Sequence, residues 1–311
     1  MGTRWNTVLA ALAILVSSAA GLQAFQGQPP RLPELIIEGP PSHAGLIELL
    51  EGFDRVAFAD AMELVGLDDP GPPIRVLLAP EGTPAARRAP SWSLAYAIGE
   101  AGLVVLLPGR IEVGGSLAYP DRSLDTVLRH EVAHVLIARA ARRRAVPRWF
   151  NEGLAIYAAR PWGIDDRARL VWATFSHGPN LGDLDRSFRA GSYRASRAYA
   201  LAAAFVRYLL DRHGADTAAR ILAGIGEDLS FGEAFLRATG STLAATEERF
   251  WSHLDLWNKW VPFLTSSATL WTAITALALV AFRRRRQRDA EIRQRWLEEE
   301  LAETPTDGWI H

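Results

Sequence analysis

The chain has 311 residues, and 34 Lys and Arg stand against 35 Asp and Glu, so the formal net charge is only −1. This balance gives no indication of a nucleic-acid partner. The absence of cysteine excludes a disulfide framework and a thiolate metal site, and the length allows one or two domains with a sizeable core.

The first 30 residues have the layout of a secretory signal peptide. A single basic residue, Arg4, precedes the apolar stretch Val8–Val16, small residues follow it, and no further charge occurs up to residue 30. Cleavage after Ala20 or Ala24 fits this pattern, and an uncleaved N-terminal anchor is the alternative. We therefore assign residues 1–24 to a signal peptide or N-terminal anchor, followed by a domain over residues 25–260.

The next part of the chain combines short apolar strands with a helix. Strands are predicted over Glu34–Glu38, Ile74–Ala79 and Leu103–Leu107, and a helix over Ala44–Gly66. From residue 121 onward the pattern is almost wholly helical. An order along the chain in which the strands come first and the helices follow is typical of an α+β domain. The sequence therefore predicts a small N-terminal mixed β-sheet with helices, followed by a mostly helical C-terminal half.

A helix predicted over Ser123–Ala140 carries the most informative motif, the segment HEVAH. His130 and His134 are four residues apart, so both side chains lie on one face of the helix, one turn from each other. Two imidazole nitrogens in that arrangement can reach a single ion. Glu131 then occupies the position of the base that takes a proton from a zinc-bound water.

A third candidate ligand, Glu152, follows His134 by eighteen residues in the segment WFNEG. Pro147 can open a second short helix there, and that helix ends before Pro161. A catalytic zinc site uses three protein ligands and leaves a position for water, so the set His130, His134 and Glu152 predicts one zinc ion per chain. Gly153 lacks a side chain, and we expect it to let this helix lie close to the HEVAH helix.

The later helices look structural. Helices are predicted over Ala195–Arg212 and Leu243–Trp260, and Ser230 with Glu233 forms a capping box for the helix between them. A charged helix is predicted over Gln287–Ala302.

An uncharged stretch of 22 residues, Val261–Phe282, precedes a cluster of arginines between Arg283 and Arg288. The stretch is long enough to span a bilayer, and positive charge at one end marks the cytoplasmic side. These features predict a transmembrane helix over 261–282 that contacts membrane lipid together with the arginines. The prediction is a single-pass protein of the cell (inner) membrane, with residues 25–260 outside the cytoplasm and the tail 283–311 inside.

HExxH followed by WxNEG resembles the gluzincin zinc metallopeptidases, and among them the peptidase MA-like family, many members of which are bacterial and membrane-attached. The resemblance runs from about residue 34 to about residue 258. It is strongest over four segments, His130–His134, Pro147–Tyr157, Tyr199–Gly214 and Phe235–Leu254.

The resemblance implies a zincin-like helical half, zinc bound by His130, His134 and Glu152, and Glu131 as general base. It also implies a tyrosine that stabilises the oxyanion, for which Tyr199 is the first match and Tyr193 the second. In related metallopeptidases an edge strand of the sheet runs along the cleft and pairs with the substrate backbone. Two segments here are candidates for that strand, Ser91–Gly99 and Leu103–Leu107.

One position departs from the pattern. Several gluzincins carry a carboxylate one turn after the glutamate ligand that orients a zinc histidine, and Ile156 stands there in this chain. Metal-bound histidines normally hydrogen-bond a partner through the second ring nitrogen. Asp183, Asp185 or a backbone carbonyl could be that partner.

The expected function is that of a membrane-tethered zinc metallopeptidase acting on a peptide or protein substrate. The alternative is a non-catalytic, membrane-anchored binding or assembly module whose zinc site is a relic or a structural clip. A zinc hydrolase of a non-peptide bond is a third possibility, because function depends on the site and not on the fold. The sequence carries no signature of the oligomeric state.

Overall fold

The computed structural model of the protein describes residues 31–113, 123–160, 163, 181–188, 192–265 and 267–303. The chain divides into two compact units, and every strand and every candidate site residue belongs to the first, which ends at Glu247. The second unit takes up the chain from Glu248. The predicted signal peptide, residues 1–24, lies outside the described residues and stays a prediction.

The described strands are β1 (Leu35–Glu38), β2 (Ile74–Leu78), β3 (Ala95–Ile98) and β4 (Leu103–Leu106). The described helices are α1 (Ala44–Glu51), α2 (Ala59–Val65), α3 (Pro84–Arg88), α4 (Pro108–Val113), α5 (Leu124–Ala140), α6 (Arg148–Ala159), α7 (Leu181–Ser187), α8 (Ser192–His213), α9 (Thr217–Gly226), α10 (Phe231–Thr239), α11 (Leu243–Thr265) and α12 (Ser267–Glu303). The predicted α+β class with a helical C-terminal half is confirmed.

The four strands form a mixed sheet in the order β1-β2-β4-β3. Strand β1 pairs with β2 and β2 pairs with β4 in parallel, whereas β3 pairs with β4 in the antiparallel direction. The predicted mixed sheet is therefore present. Of the two candidate edge strands, the segment Ser91–Gly99 contains the edge strand β3, while Leu103–Leu107 contains the internal strand β4.

The helix predicted over Ala44–Gly66 is wrong as a single element. It is divided into α1, a short 3-10 turn over Arg55–Phe58, and α2. The Asp54 side chain accepts a hydrogen bond from the Val56 amide at 2.9 Å, which starts a new helical segment after Gly52 ends α1. Within this turn Phe58 still reaches the core, where it is fully buried.

Helix α5 lies at the centre of the first unit. Its apolar residues Val127, Leu128, Val132, Val135 and Leu136 are all 0 % exposed, and the helix packs against strands β3 and β4 and against helices α2 and α6. Burial on several sides fixes this helix firmly, because each large side chain removed from water contributes about 1.5–3 kcal/mol. The polar residues on its remaining face are therefore held in a rigid frame.

Two predicted helix ends are confirmed in detail. The Ser123 side chain caps α5 by accepting a hydrogen bond from the Thr126 amide at 3.2 Å. Ser230 and Glu233 form the predicted capping box at the start of α10, with each side chain bonded to the backbone amide of the other residue. Such caps contribute about 1 kcal/mol each.

The predicted transmembrane helix over 261–282 is wrong. No helix within the described residues is both long enough and apolar enough to cross a membrane. The stretch contains several Thr and Ser residues among its apolar side chains, which lowers its mean hydropathy.

The single-pass localisation, with an extracytoplasmic catalytic domain and a cytoplasmic tail over residues 283–311, depended on that helix and is corrected with it. The lipid contact predicted for 261–282 and the arginine cluster is not tested and stays a prediction.

Candidate metal centre

His130 and His134 project from the same face of α5, as their spacing predicts. Their Nε2 atoms are 3.1 Å apart, and the two rings meet edge to face with centroids 4.7 Å apart. His130 is only 4 % exposed. At that distance both ring nitrogens can bind the same ion, so the two histidines are two members of a candidate ligand set.

Glu152 on α6 is the third candidate ligand. Its Oε2 atom lies 3.5 Å from His130 Nε2 and 3.4 Å from His134 Nε2, and the residue is 9 % exposed. Donors that lie about 2.0–2.2 Å from a tetrahedral ion are roughly 3.3–3.6 Å from each other. Two sides of the triangle, 3.5 and 3.4 Å, lie in this range and the third, 3.1 Å, is within about 0.2 Å of it, so the three donors fit a single tetrahedral cation after a small adjustment.

The second ring nitrogen of His134 is held by Asn151, the residue just before the third ligand. Asn151 Oδ1 lies 2.8 Å from His134 Nδ1, so the ring donates its Nδ1 proton to the amide oxygen. Nε2 is then the unprotonated nitrogen of the neutral ring and presents its lone pair to the other donors. None of the predicted partners fills this role for His134, neither Asp183, Asp185 nor a backbone carbonyl. The sequence analysis missed Asn151, although it stands directly before Glu152 in the segment NEG.

A cleft of about 470 Å³ opens over the three donors. Glu131, which is 2 % exposed, and Tyr199, which is 9 % exposed, both line it, as do Glu152 and the two histidines. The structure thus brings the three candidate ligands, Glu131 and the first tyrosine candidate together around one cleft. Tyr193 lies in the first turn of α8, and its side chain is outside the described residues.

Comparison with known proteins agrees with this geometry. Residues 110–256 match the family model of the Peptidase MA superfamily. This segment of the chain is similar to the Peptidase MA superfamily, and the grouping of His130, His134 and Glu152 agrees with that similarity. No curated protein and no solved structure gave a match.

The candidate ligand set attracts positive charge. Burial alone would raise the pKa of Glu152, but hydrogen bonds and charge from His130 and His134 outweigh burial and hold that pKa well below its usual range. Burial alone would lower the pKa of His134, yet the Glu152 carboxylate raises the pKa to about 9. An ionised carboxylate that draws a proton onto its neighbour offers the same attraction to a divalent cation.

Tyr199 remains a protonated hydroxyl donor in the cleft. Burial, and after it the Glu152 carboxylate, raises the pKa of Tyr199 well above its usual range. The ring is fixed by an edge-on contact with Phe188, with centroids 4.9 Å apart. A hydroxyl that keeps its proton at neutral pH can only act in this cleft as a hydrogen-bond donor or as a neutral acceptor.

Strand β3 forms one wall of the cleft. Ala95, Tyr96 and Ala97 line it, and β3 is an edge strand that pairs only with β4 among the described residues. The Tyr96 hydroxyl donates to the Ala85 carbonyl at 3.1 Å, which fixes this side chain away from the ligands. The other edge of β3 carries backbone groups that an extended chain can pair with.

Gly153 allows a close helix contact, but not the one predicted. A Cβ at this position would lie 2.6 Å from the Ala202 carbonyl oxygen and 2.6 Å from Val206 Cγ2, both on α8. The glycine therefore lets α6 approach α8, while the approach of α6 to α5 depends on other residues. Because Gly153 directly follows Glu152, this contact still sets the position of the third ligand.

Proposed function

We propose that the protein is a zinc-dependent metallopeptidase that hydrolyses peptide bonds with a glutamate general base. The observation that carries this proposal is the triangle of His130 Nε2, His134 Nε2 and Glu152 Oε2, with sides of 3.1–3.5 Å, beside the buried Glu131. Two imidazoles and one carboxylate are a donor set that catalytic zinc sites use. The similarity of residues 110–256 to the Peptidase MA superfamily supports a peptide or protein substrate.

Bound zinc supplies Lewis-acid activation of water and of the substrate carbonyl. Glu131 accepts a proton from the attacking water and delivers it to the leaving amine. The Tyr199 hydroxyl donates a hydrogen bond to the oxyanion that develops on the carbonyl. Asn151 holds the His134 ring so that Nε2 faces the ion throughout the cycle.

Strand β3 binds the substrate as an extended chain in this proposal. Main-chain hydrogen bonds to an edge strand accept any side-chain sequence, and the cleft continues past the ligands along the strand. A cleft open along the strand suits cleavage within a chain, so we favour an endopeptidase.

The decisive experiment compares wild type with Glu131→Gln and Glu152→Ala. Wild type should contain about one zinc per chain, Glu131→Gln should retain the metal and lose turnover by about 10²–10⁴-fold, and Glu152→Ala should lose most of the zinc. Metal content is measured on the purified protein and turnover on a library of quenched fluorescent peptides.

The matched control is Glu48→Gln, the same chemical change on an exposed position of α1, which should alter neither quantity. Retained turnover in Glu131→Gln would contradict the mechanism. Zinc bound tightly with no cleavage of any peptide would favour the alternative, a binding module with a structural ion.

A further inference from the structure

Arg148 opens helix α6, four residues before the third ligand, and helix energetics argue against an arginine there. A cation at a helix N-terminus opposes the helix dipole by about 0.3–1 kcal/mol. An arginine that precedes a glutamate by four residues is also the weaker order for a helical ion pair. The side chain is therefore poorly explained by the stability of α6 itself.

The contacts of Arg148 lie instead at the candidate metal centre. Its Nε atom donates to Glu152 Oε1 at 3.4 Å, while Oε2 of the same carboxylate faces the two histidines. The guanidinium carbon lies 4.9 Å from the centre of the Phe188 ring. The guanidinium also interacts with the Tyr199 hydroxyl, and Arg148, Glu152 and Tyr199 all border the cleft.

The two oxygens of Glu152 are thus given different partners. The terminal torsion of a glutamate is broad, so a carboxylate with no second partner can turn and offer either oxygen, or both, to an ion. The side chain of Glu152 is only 11 % exposed, so little water reaches Oε1 in place of Arg148. A planar guanidinium can contact the carboxylate with one nitrogen and the tyrosine with another, which a lysine ammonium cannot do in a fixed geometry.

We propose that Arg148 is a positioning residue that holds Oε1 of Glu152, so that Oε2 alone binds the metal, and that couples this ligand to Tyr199. One-oxygen binding keeps the ion four-coordinate and leaves a position open for water. The proposal rests on the proposed metal site but not on peptide hydrolysis.

A packing role for Arg148 predicts different results. A guanidinium over an aromatic ring contributes about 0.5–1 kcal/mol at a partly exposed site, so loss of the Phe188 contact alone would lower thermal stability and leave the metal unaffected. Metal affinity and the coordination spectrum of a substituted cobalt ion therefore separate the two roles.

The test uses the full chain and the variants Arg148→Met and Arg148→Lys, with Arg144→Met as matched control. Arg144 borders the same cleft, but its guanidinium pairs with Asp228 and not with a metal ligand. Zinc affinity is measured by competition with a chelator, cobalt(II) coordination by visible absorption, and stability by thermal unfolding of the metal-free form.

In Arg148→Met we expect zinc affinity to fall by about tenfold and the cobalt absorption to weaken, because a two-oxygen carboxylate raises the coordination number. Arg148→Lys keeps the charge over Phe188, so it should retain stability and recover only part of the affinity. Arg144→Met should match wild type in affinity and spectrum.

Wild-type zinc affinity and an unchanged cobalt spectrum in both Arg148 variants would overturn the proposal, whatever the thermal stability. If Arg148→Met does not fold, the spectrum and affinity of Arg148→Lys decide the question. Failure of the proposed function is a distinct result, since it would appear as zinc-loaded wild type that cleaves no peptide while the Arg148 effects on zinc persist.

Discussion

Replacing Gly153 by alanine tests whether the contact between α6 and α8 positions the third ligand. The added Cβ would lie 2.6 Å from the Ala202 carbonyl oxygen, which is helix backbone and cannot turn away, and 2.6 Å from Val206 Cγ2. Ordinary contact begins near 3.4 Å. The two helices must therefore separate by roughly 0.8 Å, because overlap of packed atoms is not tolerated in a core.

Two effects of known size follow from that displacement. Overpacking of this kind costs about 1–3 kcal/mol, and the better helix propensity of alanine returns about 1 kcal/mol, so the net loss is about 0–2 kcal/mol and up to a few degrees in Tm. Metal sites tolerate about 0.2 Å in ligand position. A shift of the neighbouring Glu152 by several times that amount should weaken zinc binding by at least tenfold.

The assay measures Tm and zinc affinity for wild type and Gly153→Ala, with Gly232→Ala as control. A Cβ at Gly232, on the exposed side of α10, meets nothing within 4 Å, so that variant should keep its zinc affinity and gain up to about 1 kcal/mol. Wild-type affinity in Gly153→Ala, with unchanged Tm, would refute the reasoning that this contact fixes the ligand.

Three further predictions concern individual side chains at the site. Asn151→Ala should lower zinc affinity by about 10–100-fold in a chelator competition; unaltered affinity would show that the His134 ring needs no amide partner. Tyr199→Phe should keep zinc affinity and reduce kcat by about 10²–10³-fold with little change in KM, and an equal kcat would remove Tyr199 from the mechanism. Metal-free protein should lose on the order of 3 kcal/mol between pH 6.5 and about 9, because the pKa of His134 is raised from 6.5 to about 9 and protonated His134 stabilises the fold only below that range. Urea unfolding across this interval measures the loss, and a flat profile would contradict it.

The common face of the two candidate histidine ligands was predictable because its geometry is local. The spacing of His130 and His134 fixes their common face on a helix, and the capping box at Ser230 and Glu233 depends only on backbone groups within one turn. Both features follow from short-range helix geometry, which spacing alone encodes. The class of the fold followed from the order of strand-like and helix-like segments.

Features that depend on distant contacts were missed or misassigned. Gly153 meets Ala202, about fifty residues later, and no local pattern distinguishes that partner from α5. The Asn151 contact with His134 depends on how two helices cross. The predicted span over 261–282 relied on a count of uncharged residues, whereas no described helix is both long enough and apolar enough to cross a membrane.

The position of the three donors on consecutive helices has a consequence for the order of folding. His130, His134 and Glu152 lie within 23 residues of chain, whereas strand β1 must find β2 across a separation of 39 residues, from Leu35 to Ile74. Contacts of short sequence separation form with the smaller loss of chain entropy. The pair α5 and α6 can therefore assemble early, and an ion bound by the three donors would cross-link this pair of helices while the sheet is still forming.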